Sequence, residues 1–282
     1  MTEKIVVGVT EAAASRRAVD WAAARAIARR QHLELVSIVG GAIGAVGEAD
    51  ILTATLAEAQ AHLDAEAARI AADGLVVMTR VEAGNPVQVL IEASRTAALL
   101  VIGSDYRGPG QGPARGAHGI RIAAAAHSPV IVVPDFDVDV SARRGVVVGV
   151  DGSPVSEHAI AFAAAEADRL GEPLTAVTVW TPISAPRNSL AVVPEMYRSG
   201  MQGAAQEALS VSLGGLRSRY PDLEITERVA EGYPSQVLNE LGESARLTVV
   251  GTRGHGRLRT FLLGSISHEV LQRLASVTAV VR

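Results

Sequence analysis

VVVGVDGSP, at residues 146–154, is the stretch on which the fold turns. Its first five residues, Val146 to Val150, are apolar throughout, as expected of a strand buried on both faces of a parallel sheet. Asp151-Gly152 supplies turn chemistry. Ser153 followed by Pro154 predicts a helix start, with serine as N-cap and proline at the first helical position. A strand, a tight turn and a helix open a βαβ unit.

The same opening occurs earlier in the chain. IVVGV at 5–9 returns as VVVGV at 146–150, an offset of 141 residues. GNPVQVL at 84–90 returns as GYPSQVL at 232–238, LLVIGS at 99–104 as LTVVGT at 247–252, and SPVIVV at 128–133 as SVTAVV at 276–281. These three share an offset of 148, so the second copy is longer by seven residues between its second and third strands. Four colinear matches indicate a duplication, and a repeat sets the architecture. PDFDVDVSARR, at 134–144, is polar, charged and opened by proline. The expected organisation is a first domain over 1–134, a linker over 135–144 and a second domain over 145–282.

In the second copy the pattern predicts strands at 145–150, 174–180, 223–231, 247–251 and 277–281. Helices are predicted over 154–171, roughly 201–219, 234–244 and 264–275. Alternation of apolar strands with helices means a parallel sheet covered on both faces. The expected fold class is therefore α/β: two tandem flavodoxin-like, Rossmann-like domains, each a five-stranded parallel sheet with helices on both faces. In that winding the first and fourth strands are adjacent at the switch point.

Composition narrows the function. Aromatics are 3% of the 282 residues, against the stacking surfaces of single-strand nucleic-acid binders. A formal net charge of −4 gives no general attraction to a polyphosphate backbone, so no nucleic-acid partner is expected. Without cysteine, disulfides, thiolate catalysis and Cys-ligated metals are excluded. The chain enters an apolar strand at once and has no apolar run near the roughly 18 residues of a membrane span, so the expected location is cytoplasmic, without a membrane partner. Lys4 is the chain's single lysine, which rules out a P-loop, whose lysine must follow its glycine run.

Ligands of such sheets sit beyond the carboxyl ends of the strands, where the winding reverses. In the second copy that places Asp151-Gly152-Ser153 opposite GTRGHGRLRTFLLGSIS at 251–267. Gly251 and Gly254 let main chain pass close to a ligand, and Gly264-Ser265 opens a helix whose free amides face the crevice. Ser265 and Ser267 add hydroxyls, and Arg253, Arg257 or Arg259 adds charge. A plainer reading stands beside this one: glycine after a strand and Gly-Ser before a helix are ordinary turn chemistry, and Asp151 then simply caps its turn.

VVVGVDGSP together with the spacing Gly251-x2-Gly254-x9-Gly264-Ser265 resembles the universal stress protein family, whose ATP-binding members carry G-x2-G-x9-G-[ST] at this point of the fold. The resemblance covers both copies, and tandem pairs are known in the family, often in actinobacteria. It implies that Asp151 hydrogen-bonds the adenosine end and that backbone near Gly149 and Val179 flanks the adenine. It also implies that Gly251 lies by the ribose, and that Gly254, Gly264, Ser265, Ile266 and Ser267 hold the phosphates. The implied cofactor is ATP, with Mg²⁺ bridging phosphate oxygens through the nucleotide. Edge strands at 129–133 and 277–282 are implied to pair the copies as a pseudo-dimer, and two chains as a homodimer.

The first copy is altered at the same points. Residues 103–133 align with 251–281 without a gap, so that Gly103 and Gly116 match Gly251 and Gly264, but Tyr106 replaces Gly254 and Ala117 replaces Ser265. Thr10 stands where Asp151 stands. This copy is expected to bind nucleotide weakly or not at all. The glycine-rich stretch at 108–119 lacks the spacing and reads as surface loop.

His255 in the second loop is either a phosphate contact, an acid or base, or a solvated histidine; the seven histidines show no metal-ligand spacing. No G-x-S-x-G elbow occurs. The leading expectation is a nucleotide-responsive regulator of stress or dormancy with unidentified protein partners, not an enzyme, with at most slow ATP hydrolysis. A hydrolysing or nucleotide-transferring enzyme of the same fold group is the rival; its S-G-G-x-D-S loop reads DGSPVS here, at 151–156. A third possibility is an interaction protein whose site is vestigial or takes cyclic AMP.

Overall fold

The computed structural model describes residues 3–40, 48–104, 117–136, 142–181, 195–254 and 263–282. The chain forms two compact units divided near residue 137. The first contains β1 (Lys4–Val9), α1 (Ala13–Arg29), β2 (His32–Val39), α2 (Glu48–Arg69), β3 (Val77–Ala83), α3 (Pro86–Ala93), β4 (Leu99–Gly103), α4 (Ala117–Ala125) and β5 (Val130–Val133). The second contains β6 (Val146–Gly149), α5 (Pro154–Leu170), β7 (Leu174–Trp180), α6 (Glu195–Ser212), α7 (Leu216–Arg219), β8 (Ile225–Glu231), α8 (Pro234–Gly242), β9 (Leu247–Gly251), α9 (Ser265–Arg273) and β10 (Val277–Val281).

Each unit holds five parallel strands, in the order β3-β2-β1-β4-β5 in the first and β10-β9-β6-β7-β8 in the second. The first and fourth strands of each are neighbours, with Ile5 opposite Leu99 and Val146 opposite Leu247. The central strands are apolar on both sides because helices cover both: Ile5, Val6 and Val7 are buried, as are Val148, Val249 and Ala279, whereas the outer strands β3 and β8 carry charged residues and are mostly half-buried or exposed. Each such valine contributes roughly 1.5–3 kcal/mol of burial, an upper figure set by an extended unfolded chain. α5 meets its sheet through Ala159, Ile160, Ala163, Ala164 and Ala167, and small residues let the helix lie close.

The start of α5 is as the sequence predicts. Ser153 caps it, its hydroxyl accepting the Ser156 amide at 3.2 Å, with Pro154 in the first turn. Gly171 ends it in the left-handed conformation. The helix expected over 201–219 is different: α6 begins at Glu195 and ends at Ser212, and α7 follows after Gly215 at φ 79°. α6 buries Leu209 alone, its first turns carry no buried residue to announce the start, and Gly214-Gly215 breaks the backbone where the pattern alone runs on.

A charged group sits within the first unit's sheet. Glu34 on β2 is buried, accepting from Lys4 Nζ at 2.7 Å and from Arg80 Nε at 2.7 Å. Burial alone would raise its carboxyl, but the hydrogen bonds from Lys4 and Arg80 outweigh it and hold the group below its ordinary value. Among the described residues, no helix is long and apolar enough to cross a membrane.

Candidate functional site

Beyond the carboxyl ends of β6 and β9, the second unit brings several of the sequence-predicted residues together. Asp151 is exposed and caps its own turn, Oδ1 accepting the Ser153 amide at 3.0 Å. Its other oxygen reaches across the crevice, for a Cβ built on Gly254 would overlap Asp151 Oδ2. The plain turn-capping role and the crevice-lining role therefore belong to one carboxylate.

The glycines divide by what surrounds them. A Cβ on Gly251 would lie 2.9 Å from Val155 Cγ1, so this glycine admits the first turn of α5. Gly103 is tighter still, its Cβ falling 2.6 Å from the Ala14 carbonyl carbon and 2.8 Å from the Ser15 amide. Close helix–strand packing thus accounts for this glycine in both copies. Gly149 is comparable: its Cβ would stand 3.0 Å from Leu238 Cδ1, as that of Gly8 would from Leu90 Cδ1. Gly264 has no such demand among the described residues. Its backbone is ordinary, φ −64° and ψ 154°, and a Cβ would meet Arg253 Cα and Thr252 O at 3.4 Å and Ser267 Oγ at 3.9 Å.

Gly264 is the N-cap of α9 and has no side chain with which to cap it. Its own amide donates to Thr252 O at 2.8 Å, and the His268 amide returns to Gly264 O at 2.9 Å. The amides of Ser265, Ile266 and Ser267 are the first-turn donors that a helix leaves without internal acceptors. With the positive end of the helix dipole, they suit an anion. Ser265 is exposed and Ile266 half-buried at the mouth. Ser267 is buried, and its hydroxyl donates to Gly251 O at 2.5 Å, so its hydrogen is directed at protein. Val179 is half-buried on β7 opposite Ala230, one residue past Thr178, whose hydroxyl donates to Val150 O at 3.1 Å.

Arg253 adds positive charge beside this crevice; burial first, and then the Arg253 charge, lower the Arg282 guanidinium from its ordinary value. His255, Arg257 and Arg259 lie outside the described residues, as do Tyr106 and Gly116 of the first copy. Thr10 takes over the turn role of Asp151, its hydroxyl accepting the Ala12 amide at 3.4 Å. Trp180 is buried at the end of β7 and packs, while His268 faces Gln272 at 3.0 Å.

The family profile described as the universal stress protein family matches residues 1–134 and 142–282. The chain belongs to that family. A universal stress protein of Mycolicibacterium smegmatis is 32% identical over 289 residues, covering 99% of this chain and 96% of the relative. One of Mycobacterium tuberculosis is 31% identical over 289 residues with the same coverage. Among solved structures, a universal stress protein from Archaeoglobus fulgidus shares the fold at a TM-score of 0.70 and 16% identity, covering 98% of this chain and 95% of that one. The family assignment covers both repeats, so this is a universal stress protein in tandem form.

Sequence reasoning missed two features of this universal stress protein's site. The Asp151–Gly254 approach joins loops 103 positions apart (151 to 254), which spacing cannot reveal. The Ser267 hydroxyl bond was hidden because the fold, not the motif, sets its direction.

Proposed function

We propose that the second repeat binds an adenine nucleotide, ATP in the first instance, and that the protein is a nucleotide-responsive regulator. The phosphates lie at the first-turn amides of α9, the adenosine end lies towards Asp151, and Mg²⁺ enters with the nucleotide. The observation that carries this reading is Gly264: a glycine with an unremarkable backbone and ordinary room for a Cβ, opening a helix that it has no side chain to cap. Among the described residues packing gives no reason for its bareness, whereas a phosphate group approaching main-chain amides does.

The first repeat serves as a structural partner. Thr10 stands there in place of Asp151, and Ala117 in place of Ser265. Binding is favoured over turnover because this reading puts the Asp151 carboxylate at the adenosine end, away from the phosphates that an activated water would attack.

The test is to denature the purified chain, identify released nucleotide by mass, and titrate the stripped protein with Mg·ATP, ADP and cyclic AMP. ATP released, or bound in the micromolar range, supports the reading. Neither release nor binding of any of the three overturns it. A γ-phosphate release rate well above that of free Mg·ATP would instead favour an enzyme.

A further inference from the structure

Ser267 carries more than its place in the motif implies. It is the third residue of α9, buried at 5% exposure, and its Oγ lies 2.5 Å from the carbonyl oxygen of Gly251, the last residue of β9. Two further bonds surround this one. The Gly264 amide donates to Thr252 O at 2.8 Å, and the Thr252 amide donates to Val281 O of β10 at 2.7 Å. The first turn of α9 is thereby tied to residues 251 and 252, which are themselves tied to the neighbouring strand. A hydroxyl has one hydrogen, and here it is directed into the protein, so Ser267 has none to offer a phosphate oxygen.

The repeat provides an internal comparison. The residue matching Ser267 in the first copy is Gly119, which has no hydroxyl to hold the carbonyl of Gly103. The copy that has lost the aspartate and the second motif glycine has also lost this tie. The strand-end glycine remains in both copies, because helix packing requires it there.

Building on the nucleotide-binding reading, we propose that Ser267 is a positioning residue: its bond to Gly251 holds the amides of Ser265, Ile266 and Ser267 in place before the nucleotide arrives. Pre-ordering counts because amides that must be gathered on binding charge their conformational entropy against affinity. The side chain touches no phosphate.

The experiment uses the full-length chain as wild type, Ser267→Ala, Ser267→Gly (the residue of the first repeat) and Ser267→Thr. Two quantities are read: Mg·ATP affinity by calorimetry, and hydrogen exchange of the 251–253 and 264–268 amides without nucleotide. The alanine and glycine variants are expected to lose about tenfold in affinity and to exchange about tenfold faster at these amides when empty, and threonine to restore both. Affinity that falls while exchange in the empty protein stays at the wild-type rate would mean direct phosphate contact and would overturn the proposal. So would unchanged affinity in both truncations. If both truncations fail to fold, the wild type alone still decides: 251–253 and 264–268 amides that exchange freely when empty and become protected only with Mg·ATP would overturn the proposal. Failure of the wild type to bind any nucleotide would sink the binding reading instead, and the exchange measurement would still decide whether the tie orders these amides.

Discussion

Replacing Gly264 with alanine separates what the fold needs at this residue from what a ligand needs. The backbone already lies at φ −64° and ψ 154°, so a side chain brings no conformational strain. The new Cβ would sit 3.4 Å from Arg253 Cα and Thr252 O and 3.9 Å from Ser267 Oγ, ordinary contacts all. Two small effects on stability oppose each other. Restricting the unfolded chain stabilises by about 0.4–1 kcal/mol. Alanine is the poorer N-cap, at a cost of about 0.5–1 kcal/mol. The net change should therefore lie within about 1 kcal/mol of zero. Binding should respond very differently. A methyl between the start of α9 and the 252–254 segment keeps a phosphate oxygen from approaching the amides to the roughly 2.9 Å that a hydrogen bond needs. Losing one such charge-assisted bond costs about 2–3 kcal/mol, or roughly 30- to 150-fold in affinity. Urea denaturation and Mg·ATP calorimetry on the same preparation measure the two quantities. An alanine variant that binds ATP within about threefold of wild type, with unchanged stability, would refute the argument that Gly264 is bare for the ligand's sake.

Three other substitutions probe the rest of the geometry. Gly254→Ala drives a Cβ into Asp151 Oδ2 and should lower ATP affinity at least about tenfold, and Asp151→Ala in the same chain should relieve the clash; a double-mutant cycle with coupling below about 0.5 kcal/mol would contradict the contact. Gly103→Ala places a Cβ 2.6–2.8 Å from main-chain atoms of Ala14 and Ser15 and should destabilise the first unit by about 2–3 kcal/mol without altering ATP binding; a wild-type denaturation curve would count against that packing. Glu34, whose folded carboxyl is lowered by Lys4 and Arg80, contributes stability that is present above its unfolded value and lost as pH falls through the folded one. Glu34→Gln should thus be less stable than wild type near pH 7, with the gap closing as pH falls through the lowered folded value; a gap independent of pH would show that the ion pairs contribute nothing.

The strands at Leu174–Trp180, Leu247–Gly251 and Val277–Val281 have the bounds their apolar runs predict, because a strand buried on both faces writes its whole length as hydrophobic residues and stops at turn chemistry. The α5 start was equally legible, since Ser153 and Pro154 act locally. α6 was legible only in part: a helix was expected from about residue 201, but its first turn, with Glu195 and Met196 exposed, carries no buried residue to mark the start. At the site, spacing could align Gly251, Gly254 and Gly264 but could not rank them. Only their neighbours show that the first admits α5, the second faces Asp151 and the third, among the described residues, would make ordinary contacts with a Cβ. Hydrogen-bond direction, as at Ser267, depends on tertiary placement and leaves no mark in composition or period.

The Lys4–Glu34 pair has a practical corollary. Because the chain contains a single lysine, an amine-directed acylating reagent addresses one side chain besides the α-amine. That amine is held 2.7 Å from a buried carboxylate, with its side chain 28% exposed. The hydrogen bond to Glu34 and the partial burial of the side chain shield Lys4 Nζ from reagent, so modification should be slow while β1 and β2 stay paired and fast once they part. The rate at which this one residue is labelled is therefore a built-in clock for the opening of the amino-terminal unit, readable by peptide mass mapping without any engineered probe.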